Sequence, residues 1–128
     1  MPCRDIPRDQ WREELESFSR SHEGWMVQVM VAEPDRPPHA EALNVPLQGV
    51  IATRGPGSAV SVMVGGRRTP HLTHEVRNAV KIDIEETDTG TTSALHVRAG
   101  DGSTTTVTFR SRMPAEEVDG LYPRRLKN

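Results

Sequence analysis

The stretch Leu47-Gln-Gly-Val-Ile-Ala-Thr-Arg54, then Gly55-Pro-Gly57, then Ser58-Ala-Val-Ser-Val-Met-Val-Gly-Gly66 decides how this chain is read. In its second arm Val60, Val62 and Val64 recur at the two-residue spacing that turns side chains to one face of a strand. Between the arms, Pro56 sets its own φ, and Gly55 and Gly57 supply the backbone freedom a reversal needs. The stretch therefore reads as a β-hairpin.

Working outward, the same alternation recurs. Trp25, Val27, Val29 and Val31 share one face of an extended run and Met26, Gln28 and Met30 the other, so both faces are fairly apolar and the run suits a central strand. Downstream, Leu72, His74 and Val76 alternate with His71, Thr73 and Glu75. Val80, Ile82 and Ile84 are expected inward, with Lys81, Asp83 and Glu85 outward. Leu95, Val97 and Ala99 lead through Gly100-Asp-Gly102 to Thr105, Val107 and Phe109, a second hairpin. Glu33 to Asn44 carries Pro34, Pro37 and Pro38, which donate nothing to a ladder, and is expected to be an exposed loop.

Upstream, Trp11, Leu15, Phe18 and His22 form one stripe of a 3.6-residue helix from Pro7 to Glu23, with Gly24 placed to stop it. The expected fold class is α+β: an N-terminal amphipathic helix packed on a curved, mainly antiparallel sheet of about six to seven strands in sequential order, curling toward a small barrel.

At 128 residues the chain is the size of one domain, with an expected ordered core over 5–112 and a helical turn and basic tail over 113–128. Only 34% of residues are apolar, so the core must be thin. The formal charge of −2, with both signs interspersed, argues against general nucleic-acid binding. Cys3 is the single cysteine, which excludes an internal disulfide and a cysteine zinc cluster. With no secretory run and no membrane-spanning apolar stretch, a cytoplasmic location is expected.

Chemistry could sit in few places. His71 and His74 would share a face on a helix, but on a strand they point apart, so one metal held by both is not expected. Core or surface hydrogen bonding is the plainer role for each, and His74 is the single candidate for catalysis. Gly65-Gly66-Arg67-Arg68 could form a backbone nest with two guanidiniums for an anion. Asp83, Glu85, Glu86 and Asp88 read as a solvated acidic strand face, with Arg98 and Arg110 as cross-strand partners, and not as a cation loop. No metal or cofactor is called for.

Ile6-Pro-Arg-Asp-Gln-Trp11-Arg-Glu-Glu-Leu15, Phe18-Ser19 and His22-Glu-Gly-Trp25, then His71-Leu-Thr-His74, then Asp101-Gly-Ser-Thr-Thr-Thr-Val-Thr-Phe109-Arg110, resemble a family of small bacterial proteins known only as a domain of unknown function. The resemblance covers about residues 5 to 112 and implies a stand-alone bacterial domain, with no activity attached. The expectation is therefore a non-enzymatic binding or assembly module, homo-oligomeric, with a protein partner conceivable. Two alternatives remain: a small-molecule or metal-dependent enzyme using His74 with Glu75, His71 or Arg67, and an adaptor binding nucleic acid or an acidic protein through Arg67, Arg68 and Arg124, Arg125 and Lys127.

Overall fold

A run of nine residues, Trp25–Glu33, joins the two halves of the sheet, because it pairs on one side with the strand that follows it directly, Arg36–Ala52, and on the other with Thr104–Pro114 from far along the chain. The computed structural model describes residues 3–53, 58–66, 71–87 and 91–114, the last five of these by backbone only. The strands are β1 (Cys3–Asp5), β2 (Trp25–Glu33), β3 (Arg36–Ala52), β4 (Val60–Val64), β5 (Leu72–Val76), β6 (Ala79–Glu86), β7 (Thr92–Ala99) and β8 (Thr104–Pro114). A 3-10 turn at Arg8–Gln10 runs into α1 (Trp11–His22).

The sheet has eight strands in the order β1-β6-β7-β8-β2-β3-β4-β5, every described pair antiparallel. This corrects the α+β expectation of six to seven strands: the chain is mostly sheet with one short helix, and the sheet is open. The order is not sequential either. β8 returns to pair with β2, so two meanders, β2 to β5 and β6 to β8, are joined at β2–β8.

Two strands account for the miscount. β1 is three residues long with all side chains exposed, too short to alternate legibly, and is held by its ladder to β6 and an ion pair from Arg4 to Glu14 on α1 at 3.2 Å. The stretch expected as a loop is the first half of β3. Between Arg36 and Pro46 this strand pairs with β2 alone, and its partner register skips Pro37 and Pro38. An edge position with local irregularity is where proline is tolerated in a sheet. From Leu47 on, β3 changes partner and pairs with β4, which folds β4 and β5 away from the plane of the first half. The hairpin read from Leu47 to Gly66 is present, closed by Thr53 N–H to the Ala59 carbonyl at 2.8 Å. Its turn at Gly55, Pro56 and Gly57 lies outside the described residues.

Inside, α1 buries Trp11, Leu15 and Phe18 in one cluster with Val27, Val29, Val50, Val62, Leu95, Val97 and Val107. Trp11 also donates its indole N–H to the Ile6 carbonyl at 2.9 Å. The helix ends at a Gly24 with φ of 88°, the left-handed conformation in which glycine has no side chain to clash. Ser19 then ties α1 to β3, donating its hydroxyl to the Val50 carbonyl and accepting the Val50 N–H at 2.8 Å.

One inward position was also misplaced. Val80 is 45% exposed, because the β6–β7 register shifts between Ala79 and Lys81 and leaves Ala79 as the buried residue. Such a bulge reverses the side-chain parity at one point of a strand.

Candidate functional site

Leu72, His74 and Val76 of β5 lie opposite Val64, Val62 and Val60 of β4, with Leu72 exposed at the strand end, His74 half-buried and Val76 buried. Valine is buried at both ends of that β4 row, yet the middle position of β5 is a histidine. Because β4 and β5 fold over, His74 meets a strand it does not pair with: its Nε2 lies 3.1 Å from the Thr105 hydroxyl on β8. Thr105, 3% exposed, is the one buried polar or charged residue among those described. Its hydroxyl needs a partner at that depth, and His74 provides it.

Glu41 stands on the other side of the imidazole. Its Oε1 is 3.7 Å from His74 Nδ1, and its Oε2 is 3.1 Å from His39 Nε2. Glu41 is skipped in the β2–β3 register between Ala40 and Ala42, and its side chain reaches His74 on β5, a strand with which β3 does not pair. At 3.7 Å the contact with Nδ1 is electrostatic and too long for a hydrogen bond. One nitrogen of His74 is thus satisfied and the other is not. Burial pushes the His74 pKa below its ordinary value, Glu41 partly opposes this and His39 adds to it, so the ring is neutral at pH 7.

A cleft of about 250 Å³ opens beside this histidine. Val31, Val76 and Ala99 give it an apolar floor, and Glu33, Glu75, Arg77, Asp101 and Ser103 line it with His74 and Thr105. Two turns frame it. The Arg77-Asn78 turn is pressed on the β7–β8 turn, with Gly100 N–H donating to the Asn78 carbonyl at 2.9 Å. A Cβ on Gly100 would come within 2.3 Å of the Asn78 amide nitrogen, so any larger residue there would have to turn the Asn78 side chain aside.

Hydroxyl, imidazole and carboxylate in series is the arrangement of a nucleophile with its base and orienting acid. Here the hydroxyl is almost inaccessible and the carboxylate stands beyond hydrogen-bond reach. Among the described residues no group of three or more His, Cys, Asp or Glu side chains is placed to hold a metal ion. What the cleft offers is a small concave surface with hydrogen-bonding groups over an apolar floor.

The other candidates scatter. His71, exposed at the start of β5, accepts a hydrogen bond at Nδ1 from the Gln48 amide, which also donates to the Gly65 carbonyl. Gly65 adopts a φ of 122° and spends its N–H on the Pro46 carbonyl at 2.9 Å. Gly66 adjoins it, while Arg67, Arg68, Asp88, Arg124, Arg125 and Lys127, and the expected helical turn after Pro114, lie outside the described residues. Glu75 pairs with Arg77 at 3.1 Å on the rim of the cleft. On the acidic strand face, Glu85 meets His96, not Arg98, at 3.0 Å. Thr105, Glu41 and His39 were missed as site residues. A threonine at an inward strand position is a signal that some polar partner must reach it; nothing in the sequence says which.

The chain belongs to a family of unknown function, DUF5335, whose pattern matches residues 3–118. No curated protein and no solved structure gives a significant match. No helix among the described residues is long and apolar enough to cross a membrane.

Proposed function

We propose that this member of the DUF5335 family is a non-enzymatic binding module that holds a small ligand in the cleft at His74. The observation that carries the reading is the half-satisfied histidine: Nε2 is fixed by buried Thr105, Nδ1 stands 3.7 Å from the Glu41 carboxylate, and the side chain lines a cleft. A polar atom held in place and left short of a partner is suited to complete its bonding with a ligand. A fragment screen by NMR on the full chain tests this. Fragments are expected to shift the His74 ring and Thr105 methyl signals, and Ser103→Phe at the rim is expected to abolish those shifts with the melting temperature kept. Fragments that leave both signals unmoved, or whose binding survives Ser103→Phe, overturn it.

Self-association is the second part of the proposal. It is supported by Leu43, Ile51 and Val80, which are exposed by 59%, 50% and 45%. A strict monomer in sedimentation at high micromolar concentration removes that part.

A hydrolase is the other reading, favoured by the order Thr105, His74, Glu41. It requires that turnover of p-nitrophenyl acetate fall to background in Thr105→Val. Unchanged turnover disposes of it.

A further inference from the structure

We propose that the cleft selects a small organic cation, an ammonium group carried on a compact apolar body. The inference rests on the reading of the cleft as a ligand site and adds the class of ligand. The site is defined by the cavity and by His74; the charges around it decide what enters.

Size comes first. About 250 Å³ is below the roughly 300–1,000 Å³ of sites that enclose drug-sized molecules, so the occupant is of single-ring size. Val31, Val76 and Ala99, all buried, give that body an apolar bed.

Charge comes next. Three carboxylates, Glu33, Glu75 and Asp101, face one guanidinium, Arg77, across the lining. Glu75 and Arg77 are 3.1 Å apart and largely cancel. Asp101 accepts two hydrogen bonds from Ser103, both on Oδ1, which leaves Oδ2 for a ligand. The Glu33 carboxylate pairs, among the described residues, with Arg36, at 3.5 Å through a guanidinium side chain that is 67% exposed. Glu41 adds its field from behind the imidazole. A His74 ring whose pKa is lowered by burial contributes no opposing positive charge at pH 7.5. An anion entering the same space would face these carboxylates with only the already paired Arg77 to meet it.

Three probes that share one body separate the possibilities: cyclohexylamine, cyclohexanol and cyclohexanecarboxylate, titrated into the full chain at pH 7.5 and followed at the His74 and Thr105 signals. Cyclohexylammonium is expected to bind at least tenfold more tightly than the carboxylate, with an affinity that weakens as salt rises. The double variant Glu33→Gln, Asp101→Asn is expected to weaken the ammonium several-fold and leave cyclohexanol unchanged; both replacements keep an acceptor oxygen, so the turn at Ser103 survives. Alcohol or carboxylate binding as tightly as the amine overturns the cation inference and leaves the cleft reading standing. The same holds if none of the three binds while fragments from the screen do. Silence in both experiments overturns both.

Discussion

Adjacent threonines on β8 each hold a histidine that in turn faces a glutamate, and they do so on opposite faces of the sheet. Inward, Thr105 meets His74 at 3.1 Å and His74 faces Glu41 at 3.7 Å. Outward, Thr106 meets His96 at 3.1 Å and His96 meets Glu85 at 3.0 Å. The outer set is a product of plain register, since Thr106 lies directly opposite His96, and Asp83 opposite His96 on the other side. Its histidine has both ring nitrogens satisfied on an open sheet face. The inner set joins strands that are not neighbours, and its histidine is left one bond short beside a cleft. Identical residue types thus make a closed cross-strand clasp in one place and a candidate site in the other. What separates them is the bend in β3 that folds β5 over β8.

The largest contrast between the faces is expected in packing. Leu95, inward on β7 and fully buried, is part of the single core, so Leu95→Ala is expected to cost about 2–5 kcal/mol. Arg98, exposed on the same strand, is expected to change stability by no more than about 0.5 kcal/mol when replaced by Ala. Urea denaturation of the two variants checks this. Equal midpoints would mean the faces have been assigned wrongly.

Next in size is the pair of threonines. Thr105→Val keeps the branched shape and strips His74 Nε2 of its buried partner, at an expected cost of about 1–3 kcal/mol. Thr106→Val removes a bond from a half-buried face that water reaches, and is expected to cost about 0.5 kcal/mol or less. Equal losses in thermal denaturation would erase the distinction between clasp and site. Smaller than the loss at Thr105, Glu85→Gln is expected to cost about 0.5–1 kcal/mol by weakening a charge-assisted bond at 3.0 Å, and Glu41→Gln less, since no hydrogen bond spans 3.7 Å.

The outer clasp was closer to legible in the sequence than the inner site. Alternation placed Glu85, His96 and Thr106 outward on consecutive strands, and the acidic strand face was expected to find basic cross-strand partners, although arginine and not histidine was named. Alternation also placed His74 on the strand face opposite to His71, and Thr105 inward with Val107. Local periodicity reports which face a residue takes and carries nothing about which distant strand will lie against it. Glu41 was lost for a different reason: three prolines outweighed the strand signal of Glu33 to Asn44, and the tolerance of an edge for proline depends on a neighbour that is absent, which no local pattern records. The short helix stripe from Trp11 to His22 was read correctly because its period is its own and needs no partner to be seen.

Titration supplies the finest test, because the two histidines it concerns are only partly buried. His74 has its pKa lowered first by burial, with Glu41 opposing and His39 adding. His22, stacked on Phe18 with ring centroids 4.4 Å apart, has its pKa lowered by burial against the opposing pull of the Phe18 carbonyl. For both, the folded chain holds its proton less well than the unfolded chain, whose histidines titrate near 6.5. Below that pH the unfolded state therefore binds more protons, and stability rises with pH. The contribution is fully present above pH 6.5 and is lost as pH falls through the lower folded values. Denaturation midpoints are accordingly expected to fall from pH 7.5 to pH 5, and His74→Gln and His22→Gln each to flatten that fall. His74→Gln should also leave an amide able to bond the Thr105 hydroxyl, so its midpoint at pH 7.5 is expected to stay closer to native than that of Thr105→Val. A fall with pH that neither variant reduces would place the sensitivity elsewhere, and with it remove the reason for treating the inner histidine as a neutral, ligand-ready group.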